Sequence, residues 1–272
     1  MNIRKKLILC MILLAIPCSA LGEIYKISMI PRHSAEENLK IMSMLAKYFS
    51  SKTGKTIEPL ITRDYFEFEK ALLSGEIDIS IENPTVYVRV TSMHEVIASA
   101  VDNLGGGMVR GLMIARKGGS IKMLSDIKGK KVCIVGKTST AGFLSPKLKL
   151  SGEGIVVDKD CTLVEAVENK QENVIFSVLA GDADAGFIKE SAFHKADEFI
   201  PPGSISVIGE GAWLPNDAFS VKKTLPQDFK NALFEAAKSL NEFDEIMVGL
   251  GLSSWRSAKD SAYDSVRAAL AQ

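Results

Sequence analysis

The chain has 272 residues carrying 33 basic and 33 acidic side chains, so its formal net charge is zero. That balance excludes the basic surplus a nucleic-acid partner calls for. The length is enough to bury a full core as one large domain or two smaller ones.

Arg4, Lys5 and Lys6 make a short basic start, residues 7–17 are almost purely apolar, and the small-residue stretch "CSALGE" follows. This is the three-part layout of a secretory signal peptide, and its apolar core is shorter than the about 20 residues of a membrane span. Cleavage is expected after Ala20 or Gly22. A lipid anchor on Cys18 is disfavoured, because Pro17 stands where a lipoprotein signal has Gly, Ala or Ser. Loss of residues 1–22 leaves 250 residues. It removes three basic and no acidic groups, so the formal charge falls to −3. No other stretch approaches about 18 uninterrupted apolar residues, so a soluble, exported mature protein is expected. Two cysteines remain, Cys133 and Cys161, as a disulfide or as buried unreactive thiols.

Strands and helices then alternate. "IYKISMI" (24–30) reads as a strand. In 34–54, Ser34 and Glu37 have capping-box spacing, Leu39, Met42 and Leu45 form one face, and Gly54 terminates the helix. "TIEPLIT" is a short strand, "DYFEFEKALLSGE" a helix and "IDISI" (77–81) a buried strand. "NPTVYVRVTS" starts a helix, with Asn83 as cap and Pro84 at the first helical position. "VIASAV" is a strand. Glycines at 105–107 and 118–119 then bracket the extended segment "RGLMIA". A second run follows: strand "KKVCIVG", helix "STAGFLSPKLKLSG", strand "CTLVEAV", helix "ENVIFSVLAGD", strand "ADAGFI". The amphipathic helix "PQDFKNALFEAAKSLNEF" and the helix "SAYDSVRAALAQ" come last. Strands separated by single helices imply parallel βαβ units and an α/β fold.

Covalent chemistry finds little support. His33, His94 and His194 sit in no nucleophile motif, and G-x-S-x-G, H-E-x-x-H and C-x-x-C are absent from the sequence. No metal, cofactor or catalytic residue is expected. The stretch "CIVGKTSTAGFL" (133–144) resembles a nucleotide-binding loop, but the first glycine of that motif is replaced by Lys131. An exported protein also has little access to ATP. What survives is a strand-to-helix turn whose free amides and Ser139 and Thr140 hydroxyls suit a tetrahedral oxyanion, or simply cap a helix.

A spaced series of motifs extends this reading. "MIPRHSAEENLK", "DYFEFEKALLSGEIDISIENPTVYV", "SDIKGKKVCIVGKTSTAGFL", "SVLAGDADAGFI", "LPND" and "YDSVRAAL" together resemble the phosphate/phosphite/phosphonate substrate-binding proteins of ABC importers, over about residues 25 to 270. The resemblance implies a two-lobed, type II periplasmic-binding-protein fold. Each lobe would hold a mostly parallel sheet flanked by helices, and two crossover strands would join them as a hinge. Lobe one would be 23–109 plus 213–272 and lobe two 110–212. The implied ligand is a small oxyanion and the implied partner an inner-membrane permease, for a periplasmic, monomeric protein that is not an enzyme. Ser139, Thr140, Ala141 and Gly142 match the family's oxyanion turn, and Tyr65 and Tyr87 match aromatic residues that reach the ligand. The chain departs from the family at four places. Ala141 replaces a third hydroxyl, and Gln171 stands near a frequent histidine. Glu190 or Ser191 falls where aminoalkylphosphonate binders place an acid, and Glu82 replaces an apolar residue. A sensory module docking on a membrane kinase or chemoreceptor, and the same fold holding a different small ligand, are the alternatives.

Overall fold

The computed structural model describes residues 23–104 and 106–271. The expected signal peptide, its cleavage positions and Cys18 lie outside the described residues.

Two sheets divide the chain. The first contains β1 (Ile24–Met29), β2 (Thr56–Pro59), β3 (Ile79–Glu82), β4 (His94–Val101), β12 (Ala218–Lys222) and β13 (Ser254–Ser257), in the order β13-β4-β12-β3-β1-β2. The second contains β6 (Gly111–Arg116), β7 (Lys131–Ile134), β8 (Thr162–Glu165), β9 (Ala185–Lys189) and β10 (Ile205–Glu210), in the order β10-β6-β9-β7-β8. Between them, β5 (Met108–Val109) pairs antiparallel with β11 (Leu214–Pro215). The chain thus passes from one sheet to the other and back through two adjacent extended segments.

The sheets are mixed, where the alternating elements predict mostly parallel ones. Parallel pairing joins β1 to β2 and β3, and β7 to β8 and β9. β12 runs antiparallel to β3 and β4, and β6 antiparallel to β9 and β10. The crossovers explain this. A strand that enters a lobe from the hinge, or returns from it, runs against strands supplied by local βαβ units.

Local sequence explains the helices that position the cleft. In α1 (Ala35–Thr53), the Ser34 hydroxyl accepts from the Glu37 amide at 3.2 Å, and Gly54 ends the helix in the left-handed region at φ 69°. The buried stripe is Asn38, Ile41, Met42, Leu45, Ala46 and Phe49; Leu39 faces solvent instead of joining it. α2 (Tyr65–Leu73) is capped by Asp64, and α3 (Pro84–Val90) by Asn83 with Pro84 at its first turn, as its sequence predicts. On the far side of the first sheet's core, Phe49 stacks on Phe219 at 5.5 Å, and Tyr25 meets Phe229 of α8 (Gln227–Lys238) at 4.6 Å. α9 (Glu245–Leu250) and α10 (Asp264–Leu270) follow α8.

In the second lobe, the expected single helix after β7 is two pieces. A π-helical turn, Thr140–Leu144, precedes α4 (Ser145–Gly152). The Leu144 amide reaches back to the Ser139 carbonyl at 3.1 Å. Pro146 has no amide of its own to extend a regular ladder back into that turn. The sequence did not mark β10, the short α5 (Val157–Asp160) or the short α7 (Glu190–Lys195). α6 (Gln171–Ala180) packs on β9. Cys133, buried on β7, and the half-buried Cys161 are unpaired thiols, and burial pushes Cys161 up to about 11.

The start of α4 is built into the hinge. The buried Ser145 hydroxyl accepts from the Gly111 amide at 2.9 Å and donates to the Ala212 carbonyl at 2.7 Å, so one side chain touches both crossovers. A Cβ on Gly111 would lie 1.9 Å from the Ala141 carbonyl oxygen and 2.9 Å from the Pro146 ring. Gly111→Ala should therefore lower stability by roughly 1–3 kcal/mol through overpacking, read as a lower urea midpoint at constant m-value. An unchanged midpoint would show that the turn yields freely.

Candidate functional site

In open α/β sheets, ligands bind beyond the carboxyl ends of the strands. Here those ends converge on one cleft between the lobes, of about 350 Å³. Lobe one contributes Arg32 and His33 after β1, Asn83 after β3, Tyr65 at the start of α2, and Asp217 just before β12. Lobe two contributes Ser139, Thr140 and Ala141 after β7, Gln171 at the start of α6, and Lys189 at the end of β9.

The oxyanion turn is present but partly committed. The Ser139 hydroxyl accepts from the Gly142 amide at 3.0 Å, which leaves its hydrogen to donate. Gly142, expected to offer its amide to ligand, instead spends it on this cap and does not line the cleft. Thr140 lines the cleft, yet its hydroxyl is engaged across the lobes. It accepts from the Thr85 amide at 2.9 Å, lies 2.8 Å from the Thr85 hydroxyl and donates to the Asn83 side-chain oxygen at 3.1 Å. The Asn83 amide in turn donates to the Thr138 carbonyl at 3.1 Å. Thr140 is thus a clasp between lobes in this conformation.

Tyr65 reaches the cleft, and burial pushes its phenol up to about 12, so it stays a donor. Gln171 accepts from the Lys189 amide at 2.8 Å through its carbonyl oxygen, leaving its NH2 free to face the cleft.

Two expected ligand residues stand elsewhere. Tyr87 is fully buried against Tyr263 at 4.7 Å; its hydroxyl donates to Asp260 at 2.7 Å and accepts from the Val96 amide at 3.2 Å. It pins α3 to the C-terminal segment and lines no part of the cleft. Glu190 is turned to the hinge, where Arg110 grips both its oxygens at 2.7 and 3.0 Å, also pairs with Glu210 and lies 4.7 Å over the Trp213 ring. Its neighbour Ser191 is the one that lines the cleft. Glu82 lies sealed in the first sheet beside Ser80, and burial pushes its carboxyl up to about 8. It is out of reach of a cation in the cleft.

The strongest electrostatic feature is one the sequence reading missed. Arg32 donates to Asp217 at 2.7 Å, and Lys189 lies beside them with its ammonium 4.0 Å from Asp102. Burial alone would raise the Asp217 carboxyl, but Arg32 and Lys189 outweigh it and hold it below the usual range. Burial lowers the Lys189 ammonium, with Arg32 adding to the effect and Asp217 opposing it. His33 is pushed down to about 4 by burial and then by Arg32, so it is neutral near pH 7. Its buried Nε2 has no hydrogen-bond partner among the described residues. Lys189 and Asp217 sit directly at strand ends and Arg32 follows β1 closely, the one signal that would have found them.

The model of the family described as "ABC transporter, phosphonate, periplasmic substrate-binding protein" matches residues 27–263. The chain belongs to this family. The family's members are the substrate-binding components of transporters. The binding protein is 24% identical, over 87% of its length and 82% of the relative's, to the phosphate-import protein PhnD of Mycolicibacterium smegmatis. Its fold matches a binding protein component of an ABC phosphonate transporter from Pseudomonas aeruginosa with a TM-score of 0.79, at 17% identity, covering 92% of this chain and 86% of the other. It also matches PhnD1 of Prochlorococcus marinus in complex with methylphosphonate with a TM-score of 0.80, at 13% identity, covering 90% and 96%. The two-lobed periplasmic-binding-protein fold is therefore established. Among the described residues, no helix of the binding protein is long and apolar enough to cross a membrane.

Two outcomes follow for the binding protein. Tyr87→Phe should cost roughly 1–3 kcal/mol of stability, from a lost bond to a carboxylate and an orphaned buried amide, while ligand affinity stays unchanged. A matching loss of affinity in calorimetry would return Tyr87 to the cleft. Oxyanion affinity should also fall on the alkaline side. Lys189 faces Asp217, Arg32, Asp102 and Lys195, and its depressed value means that its charge is lost below the ordinary lysine range. Affinity should hold below that lowered value and drop as pH rises through it, with Lys189→Arg retaining binding at the same alkaline pH. A parallel decline of both proteins would remove Lys189 as the cause.

Proposed function

We propose that this binding protein captures phosphate, phosphite or a small phosphonate between lobe one (23–109 with 213–272) and lobe two (110–212), and delivers it to an inner-membrane permease. The mature protein works in the periplasm after export and acts as a monomer. The observation that carries this reading is the cleft's donor set. Ser139 lines the same space as the buried Tyr65 and the half-buried Arg32 and Lys189, with Thr140 and Ala141 of the turn beside it. A tetrahedral oxyanion placed there gains hydrogen bonds from a helix start and compensation from two cations. The methylphosphonate bound by the Prochlorococcus relative supports the ligand class.

Ligand between the lobes also favours the contacts that hold them together. Thr140 to Thr85 and Asn83 is one tie. The Lys170 ammonium, bonded to the His33 carbonyl across the cleft, is another. An anion that binds the closed form better shifts the open–closed balance by that difference, and the closed form is the one to engage the permease.

Calorimetry with phosphate, phosphite, methylphosphonate and sulfate tests the reading. Saturable binding of one phosphorus oxyanion per chain is expected, and Ser139→Ala should weaken it by roughly 1.5–3 kcal/mol, the worth of a hydrogen bond to a charged group. Absence of heat and of thermal stabilisation with all three phosphorus ligands would sink it.

A further inference from the structure

A run of buried polar side chains crosses the first sheet, outside the cleft. Ser80 and Glu82 stand on β3, Ser220 pairs in register with Ser80 on β12, and His94 opens β4. Glu82, Ser80, Ser220 and His94 are all fully buried. One Glu82 oxygen, Oε2, meets the Ser80 hydroxyl, which lies 3.2 Å from the Ser220 hydroxyl. Ser220 lies 3.0 Å from His94 Nδ1, and His94 Nε2 lies 3.0 Å from the Ile77 carbonyl oxygen.

The carbonyl at the end fixes the protons along this chain. It only accepts, so His94 Nε2 carries a hydrogen. Four hydrogen bonds in series need four hydrogens, whereas a neutral imidazole and two hydroxyls supply three. The missing one is a proton on Glu82 or a second proton on His94. The surroundings select Glu82. Its other oxygen, Oε1, is buried with no hydrogen-bond partner among the described residues, which a neutral carboxyl tolerates better than a carboxylate. Burial raises this carboxyl to about 8 against the neighbouring hydroxyls, and Asp217 adds to the rise. Tyr87 on α3 and Tyr263 face it as neutral phenols. Burial lowers His94 to about 4, with Lys222 of β12 adding to the effect.

We propose that Glu82, Ser80, Ser220 and His94 form a relay that holds one proton, seated on Glu82, and that loss of this proton as pH rises loosens the strands that place Asn83 and Asp217 in the cleft. Asn83 follows Glu82 directly, and Ala218, next to Asp217, pairs with Glu82 in register. The relay joins strands made before and after the excursion into the second sheet, so it also closes the first sheet across that break. In the unfolded chain Glu82 ionises near the ordinary glutamate value of about 4.3. In the folded protein it keeps its proton up to about 8. The stability contributed is therefore full below the lower value, falls about tenfold in the folding constant per pH unit between the two, and is gone above the upper one.

Urea unfolding of the protein and of Glu82→Gln between the two values tests this. The glutamine keeps an N–H for Ser80 but cannot titrate, and His94 is common to both. The folding constant of the protein relative to the variant should fall about tenfold per pH unit. A constant ratio overturns the proposal. Amide exchange in β3 and β12 should be faster in the protein than in the variant above the upper value, and equal protection overturns the loosening. Two measurements need no variant. Carboxyl-carbon NMR of the protein with labelled glutamate should show one side chain still protonated at neutral pH and titrating at about 8. Nitrogen NMR should show His94 as a neutral ring with its hydrogen on Nε2. Glutamates that all titrate in the ordinary range, or an imidazolium at His94 at neutral pH, overturn the proposal.

Discussion

Two cations, Arg32 and Lys189, stand half-buried on facing lobes, with Asp217 held by Arg32 and Asp102 4.0 Å from Lys189. This is the constraint on which the rest of the structure depends. Charge removed from water must be compensated, and Asp217 bonds Arg32 directly while Asp102 meets Lys189 only at 4.0 Å. A cleft that closes without an anion confines like charges, and one that closes around an anion relieves them. The fold supplies the geometry at little cost. Parallel strand ends point their loops at a common space, so Arg32, Asn83, Ser139 and Lys189 arrive there as neighbours although scattered along the sequence.

The ligand turn and the hinge are mechanically one unit. Ser139 caps the π-helical turn, and six residues later Ser145 bonds both crossovers through Gly111 and Ala212. Movement of the turn against a ligand is therefore movement against the hinge. Arg110 adds a second fixture there, holding Glu190 and Glu210 on the two strand ends beside the crossovers and covering Trp213. With Thr140 clasped to Asn83 and Thr85, closure has direct lobe-to-lobe bonds as well as ligand bridges. A few such bonds, each worth about 1 kcal/mol net, are enough to tilt an open–closed equilibrium once ligand removes the electrostatic penalty.

The fold was largely legible because hydrophobic period, caps and breakers act locally. Ser34, Asn83, Pro84 and Gly54 do in the structure what their chemistry predicts. Strand direction was not, because β12 takes its orientation from a crossover more than a hundred residues after β4. The Ser139 turn was found because a helix start offers donors whatever surrounds it. Its use of those donors was hidden, since the partner of Gly142 is the cap and the partner of Thr140 lies in the other lobe. Tyr87 and Glu190 were drawn toward the ligand by the family pattern, but their phenol and carboxylate are held by Asp260 and Arg110, contacts that only tertiary structure creates. Arg32, Lys189 and Asp217 passed unnoticed because an isolated charged residue in sequence is most often solvated; only its place at a strand end marks it.

The claim that an anion enters this cleft to compensate the buried cations is tested most directly by a crystal structure of the protein with methylphosphonate. The account predicts the phosphonyl oxygens at about 2.7–3.1 Å from the Ser139 hydroxyl and the turn's amides, and in ion-pair contact with Arg32 or Lys189. A phosphonate bound outside the cleft, or seated in it with neither cation contacted, would contradict it.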